Sequence, residues 1–416
     1  MQGAAARLLV ALVVALPTIR ALSFPSTVVI DGGRLYALRQ RFLAGAACSK
    51  FNSSLASLTA DADKWLTKGP WSVLDKGQPA PGGTVNDYYS MAPYYWPTVE
   101  PTDDNPLGCP WKEKDGVRNP AVDVGTDRQA IGSVCYSVPS LTFGWYFTNN
   151  SDYAIHAGNI LRKWFINETT AMNPNLDHGQ VITCSNTGRS IGVIDFSQMY
   201  TTVLDAVAVL NTGAPGWTSS DAATFKTWNT RFQTWITNST FGKQETAQTN
   251  NHGTFADMQR AAIALFVGDA ATAKTILEDA RAKRIDVQIA SDGTQPMELS
   301  RTRSWHYSNF NLVAYARMAA IGYKAQVSVD LWNYVGANGQ SIKKALNFLL
   351  PAASGAANWT YPELNFTRYS AVDVVHAGAD AGNGAAQGIV ADLPTPPKGD
   401  LWWIRPGAEQ LDSIAG

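Results

Sequence analysis

The chain has 416 residues, 45% of them hydrophobic and only 16% charged, which is enough apolar content to bury a sizeable core. Its formal net charge of −1 excludes a general electrostatic footprint for nucleic acid or for an anionic membrane, so neither is expected as a partner. A polyanionic ligand would have to be met by positive charge gathered locally.

Residues 1–22 read as a secretory signal peptide. Arg7 precedes an apolar run from Leu8 to Leu16, too short to span a bilayer, and small residues follow around Ala21 and Ser23. Asn-x-Ser/Thr sequons at Asn52, Asn149, Asn167, Asn238, Asn358 and Asn365 agree with export. The expectation is a secreted, extracellular glycoprotein. Cys48, Cys109, Cys135 and Cys184 then suggest two disulfides, with three pairings open. Their spacing does not suit zinc, and no metal or cofactor is expected.

Helical periodicity dominates from about residue 34 to 350. Weaker patterns cover 34–47, 54–67, 127–148, 196–211 and 254–267. Stronger ones place Tyr153, Ala157, Ile160, Leu161 and Trp164 on one face, with Ser151 or Asp152 as cap. Phe225, Trp228, Phe232 and Trp235 share another face. Ile276, Leu277 and Ala280 do the same, as do Leu312, Tyr315, Ala316 and Ala319 before a stop at Gly322, and Ile342, Leu346 and Leu349. The absence of strand–helix alternation excludes a doubly wound sheet; a solenoid and a ring of paired helices both remain. Two regions break the pattern. Residues 76–124 form a long loop whose aromatic content argues against disorder, and 351–416 reads as a C-terminal wrap over the core.

Four constellations carry chemistry. Asn250-Asn251-His252-Gly253 sits just before the helix expected near Thr254, where free backbone N–H groups favour an anion and an imidazole can move protons near neutral pH. In Glu298-Leu299-Ser300-Arg301-Thr302-Arg303-Ser304-Trp305-His306-Tyr307, Arg303 and Tyr307 share a helical face, and a guanidinium beside a phenol can depress its pKa. The run from Asn86 to Pro97 offers aromatic rings with polar tips that suit sugar faces. Gly188-Arg189-Ser190-Ile191-Gly192 matches a nucleophile elbow and supports a rival serine esterase using Ser190 and a histidine such as His376, although the elbow needs alternating strands and helices around it.

Together the motifs resemble the alginate-lyase domain family typified by polysaccharide lyase family 5. Asp87-Tyr88-Tyr89-Ser90, continuing through Ala92-Pro93-Tyr94-Tyr95-Trp96-Pro97, is similar to the family's N-terminal signature. Asp115-Gly116 with Asn119-Pro120, and Gly188-Arg189 with Gly192 and Ile194-Asp195, resemble its next blocks. Asn250-Asn251-His252-Gly253 and Glu298-Leu299-x-Arg301 leading to His306-Tyr307 complete the order. The likeness runs from about 72 to 350.

The resemblance implies an all-α, (α/α) toroid, an incomplete barrel of helix hairpins. It would form a single domain over 23–416 with a long N-terminal loop and a C-terminal wrap. It also implies a metal-free lyase that cleaves an acidic polysaccharide (alginate, polymannuronate or a glucuronan) by β-elimination; a monomer is the separate expectation. By that likeness Asn251 and either Arg301 or Arg303 stabilise the uronate carboxylate, because the arginine spacing departs from the family's pattern and leaves both open. His252 and Tyr307 share the base and acid roles, with Tyr307 as donor to the leaving O4. Lys76, Tyr88, Tyr89, Gln180, Arg189 and His306 are candidate substrate-binding residues, and His156 and His178 are structural. Competing expectations are a glycoside hydrolase on a helical toroid, using Glu298 and Asp257, and a non-catalytic carbohydrate-binding cell-wall protein.

Overall fold

The structure is a computed structural model that describes residues 22–404. The expected N-terminal signal peptide lies almost wholly outside the described residues. Each apolar period becomes a helix. α1 (Gly32–Leu43) and α2 (Ser49–Trp65) precede the long loop, and α3 (Arg128–Thr148) and α4 (Ser151–Leu161) follow it. Next come a short α5 (Ile194–Ser197), then α6 (Tyr200–Leu210), α7 (Ser219–Asn238), α8 (Thr240–Thr246), α9 (Asn251–Val267) and α10 (Ala270–Ala280). The single turns α11 (Asp286–Gln288) and α12 (Pro296–Leu299) lead into α13 (Ser304–Gly322) and α14 (Ile342–Ser354). The cap of α4 is Asn150, whose side chain accepts from the Asp152 N–H, one residue earlier than the sequence pattern placed it.

Burial sorts these helices into two layers. Every residue of α6 is buried, as is all of α13 except Ala320, and α3 and α9 are nearly as enclosed. Helices buried on all sides belong inside, and amphipathic ones belong outside. The inner helices contact one another in chain order, α3 on α6, α6 on α9, and α9 on α13. Outside them, α4 packs on α3, α7 and α10 on α9, and α14 on α13. The result is the expected α/α toroid.

The C-terminal region is more helical than its sequence suggested. It adds α15 (Val372–Asp380), packed on α13, and α16 (Gly384–Ile389), before a last turn at Leu401–Trp403. That turn seats on the first helices: Ser54 Oγ donates to the Asp400 carbonyl at 2.6 Å, and Lys50 Nζ lies 5.0 Å from the Trp403 ring centre. Arg34 pairs with Asp380, so both ends of the helical series are tied together. Among the described residues no single helix is long and apolar enough to cross a membrane.

The long loop is braced by small sheets. β1 (Tyr89–Met91) pairs in parallel with β4 (His178–Val181), and β2 (Tyr95–Pro97) pairs antiparallel with β3 (Trp111–Glu113). A disulfide joins Cys109 to Cys184. The second expected disulfide does not form: Cys48 is exposed, whereas Cys135 is buried inside α3, where burial pushes its thiol up to about 12.

At the N-terminus, Asp205 of α6 accepts hydrogen bonds from the backbone N–H groups of Val28, Val29 and Ile30. Burial nevertheless pushes its carboxyl up to about 6, outweighing Lys324 and those donors. Asp205→Ala should cost about 3 kcal/mol, because it strands buried donors beside Lys324. The native carboxyl binds its proton more tightly than the unfolded one does. The wild-type advantage should therefore be fully present below about pH 4, shrink as the pH rises to about 6, and stay level above that. Urea melts of both proteins across that range check the prediction.

Candidate active site

One cleft of about 620 Å³ opens where the first turns of α9 and α13 lie side by side. Loop residues Tyr94, Tyr95, Asp115 and Arg118 form one wall, and Gln180 of β4 and Arg189 beyond it add to the lining. Leu364 and Asn365 arrive from the segment after α14. Five arginines line the cleft (Arg118, Arg128, Arg189, Arg301 and Arg303) against the carboxylates of Glu113 and Asp115. A chain close to neutral overall thus concentrates positive charge here.

The helix expected near Thr254 begins at Asn251, so Asn251 and His252 belong to its first turn. Asn250 is the N-cap, its Oδ1 accepting from the His252 N–H at 3.2 Å. Gly253 is required: a Cβ there would lie 2.0 Å from the Gln248 carbonyl oxygen. Two buried carboxylates then fix the two side chains. Glu298 Oε1 accepts from the Asn251 backbone N–H at 2.7 Å, and Glu298 Oε2 accepts from Asn251 Nδ2 at 2.7 Å. This orients the amide and leaves Asn251 Oδ1 buried without a partner among the described residues. Burial raises the Glu298 carboxyl above its ordinary range, against the pull of those two bonds. Glu245, at the end of α8, meets His252 Nδ1 at 2.7 Å. With Nδ1–H donated to a carboxylate, Nε2 is left as the acceptor nitrogen.

Arg301 rather than Arg303 reaches the phenol. Arg303 is the residue before α13 and pairs with Glu363, whereas Arg301 sits on the turn between α12 and α13 and folds back over Tyr307. Its Cζ lies 3.8 Å from the ring centre, and Nη2 donates to the phenolic oxygen at 2.9 Å. The same guanidinium grips Asp115, 186 residues away, with Nε 3.0 Å from Oδ1. Gly116 makes the approach possible, with φ of 73° and space for no Cβ beside Thr302. Burial alone would lift the Asp115 carboxyl, but the Arg301 and Thr302 hydrogen bonds hold it below the usual carboxylate range. On the other side, the hydroxyls of Tyr94 and Tyr307 are 2.9 Å apart. The expected depression of the Tyr307 pKa does not occur. Burial, then Tyr94, lift it well above its ordinary value, and Arg301 only moderates the rise. Tyr307 is therefore a protonated phenol at neutral pH.

The remaining sequence candidates divide. Arg189 lines the cleft with its guanidinium 5.1 Å from the Tyr95 ring centre, held by the Gln180 carbonyl at 2.9 Å and by Gln180 Oε1 at 3.1 Å. His306 also lines it, but as a wall. It stacks on Phe310, and burial first, then Arg303 and Arg301, lowers its pKa to about 3, so it is neutral. Lys76, Tyr88 and Tyr89 lie outside the lining. Lys76 is fully enclosed, donating to the carbonyls of Val85 and Asp87 and pairing with Asp127 at 3.1 Å, so it clamps the loop instead of binding sugar. Tyr88 is a core ring whose hydroxyl donates to Asp195, and the Tyr89 N–H donates to Asp127. His156 bonds the Lys68 carbonyl at the surface.

The rival chemistries lose their geometry. Ser190 opens a short 3-10 turn with no strand leading into it, and His376 is engaged with Asp400 at the C-terminal turn. Glu298 is committed to Asn251, and Asp257 pairs with Arg284 and Arg260, so neither lines the cleft as a hydrolase pair would.

Sequence reasoning missed Asp115, Tyr94, Glu245 and Leu364–Asn365 as site residues. Tyr94 and Asp115 lay in motifs already singled out, the aromatic run and the Asp115-Gly116 block, but neither was given a role at the site. Their partners, Tyr307 and Arg301, lie far away in the chain.

Comparison with known proteins places the fold and the family. The pattern of the alginate lyase family matches residues 72–359. No curated protein matches the chain. Among solved structures, an alginate lyase from Bacteroides ovatus is 30% identical with a TM-score of 0.83, over 91% of this chain and 99% of that one. Alginate lyase A1-III from Sphingomonas species A1 is 15% identical with a TM-score of 0.56, over 94% and 99% of the two chains, a likeness of fold. With its five motifs in order, its helical toroid and its family match over most of its length, this chain belongs to the alginate lyase family.

Proposed function

We propose that this polysaccharide lyase cleaves alginate, or a closely related uronate polymer, by β-elimination with His252 and Tyr307 as its proton carriers. The observation that carries the reading is the Tyr307 hydroxyl, held between Arg301 and Tyr94 in the cleft that also presents Asn251 and His252. The C5 proton of a uronate is weakly acidic, because the neighbouring carboxylate resists further negative charge. Asn251, fixed by Glu298, offers its remaining amide hydrogen to that carboxylate, and the cleft arginines supply the field that stabilises the enolate. His252 Nε2 accepts the C5 proton, the C4–O4 bond breaks, and the electron pair left at C5 forms the C4=C5 double bond. Tyr307 gives its proton to the departing O4. Where the C5 epimer presents its proton on the other face, the roles of the two side chains shift accordingly.

The same reading includes export. Every sequon asparagine among the described residues is exposed, and the Cys109–Cys184 disulfide suits an oxidising compartment, so secretion with glycosylation is the supported setting.

An ultraviolet assay tests the reaction. The purified protein would be offered alginate, polymannuronate, polyguluronate, glucuronan, pectate and hyaluronan. Absorbance from an unsaturated uronate should rise on alginate or one of its block polymers; new reducing ends without that absorbance would sink the proposal. In the same assay Tyr307→Phe should lower kcat by roughly 10²- to 10⁴-fold with KM little changed. Glu245→Gln should lower kcat about 10- to 100-fold with the fold intact by circular dichroism, because it releases the imidazole from its set tautomer.

A further inference from the structure

The segment between α14 and α15 reaches the cleft with Leu364 and Asn365. The Ser304 N–H donates to the Pro362 carbonyl at 3.0 Å and the Leu364 N–H to the Thr302 carbonyl at 3.1 Å, pinning the segment against the turn that carries Arg301. Glu363 accepts from the His306 N–H and pairs with Arg303, so the segment is anchored to the start of α13. Two residues after Glu363, Asn365 lines the cleft and is exposed, which places it at the mouth. Asn365-Phe366-Thr367 is a sequon, and no side-chain hydrogen bond holds the Asn365 amide among the described residues. Asn358, at a second sequon of the same segment, is exposed as well.

We infer that Asn365 is an N-glycosylation site whose sugar stands at the Arg303 end of the cleft and limits how a long polymer can enter. The inference rests on the export reading above. A branched, uncharged glycan is far larger than the side chain it replaces at the rim. A polymer that must run past Asn365 would collide with it, whereas an oligosaccharide short enough to end inside the cleft would not. The glycan would thus act on substrate length without touching the reacting atoms. Because the segment is anchored on both sides of the α13 start, it could not swing away to relieve the collision.

The test uses the full chain made in a secreting eukaryotic host. Peptide mapping reports the occupancy of Asn365 beside that of the other sequons. Turnover is then measured on alginate polymer and on a tetrasaccharide for three samples: the chain as made, the chain trimmed by an endoglycosidase that leaves one sugar per site, and Asn365→Gln. The expected result is a glycan on Asn365, and a polymer-to-tetrasaccharide ratio of kcat/KM about threefold or more higher in the trimmed chain and in N365Q than in the chain as made. A bare Asn365 with other sequons occupied overturns the inference while leaving export standing. No occupancy at any sequon overturns both. An occupied Asn365 with equal ratios in all three samples shows that the glycan does not act on substrate length, and overturns the inference as well.

Discussion

Two inner helices must start side by side for this site to exist. The ring of Phe255 in α9 lies against Phe310 in α13, with centres 4.1 Å apart, and this contact sets the register between the helices. One turn earlier on α9 stand Asn251 and His252; one turn earlier on α13 stand His306 and Tyr307. Interiors packed at crystal-like density do not slide by fractions of a residue, so the two first turns cannot drift apart. A register slip would part the amide and imidazole from the phenol. The toroid is in this sense a device for aligning helix starts, and the cleft is where the alignment is spent.

Charge is then held in place at some cost. Glu298 and Glu245 are buried, and a buried carboxylate is tolerated only when it is well bonded. Here each holds one of two adjacent side chains on α9, and Asp115 does the same for Arg301 across the loop. Donors fixed before the substrate arrives need not reorganise during the reaction, which is where electrostatic catalysis gains most. It also explains a chain of net charge −1 that binds a polyanion: the arginines are gathered at one cleft, and most of them are paired to carboxylates that aim them.

Much of the fold was legible because its signal is local. The apolar periods at Tyr153–Trp164, Phe225–Trp235 and Ile342–Leu349 each became a helix near the expected limits. The motifs also gave the central side chains, since Asn251, His252, Arg301 and Tyr307 are neighbours within short runs of chain. What the sequence hid depends on long separations or on burial. Nothing near Asp115 announces Arg301, and nothing near Tyr94 announces Tyr307. Lys76, and Tyr88 in the signature stretch, look like ligands for sugar, yet the first is a sealed clamp and the second a core ring. A conserved-looking motif states that a residue type is needed, and only burial says whether solvent can reach it. The disulfide illustrates the same limit: even numbers suggested two bridges, but Cys135 lies inside α3 and cannot meet Cys48 at the surface.

The measurement that bears most directly on the central claim is the mass of the products released from alginate. Elimination adds no water across the broken bond, so each new fragment carrying the C4=C5 double bond should weigh one water less than the matching hydrolytic fragment. That deficit, present for the wild-type protein and lost in Tyr307→Phe, is what the account predicts. Fragments of full hydrolytic mass, or a Tyr307→Phe protein that still produces the deficit at the wild-type rate, would contradict it.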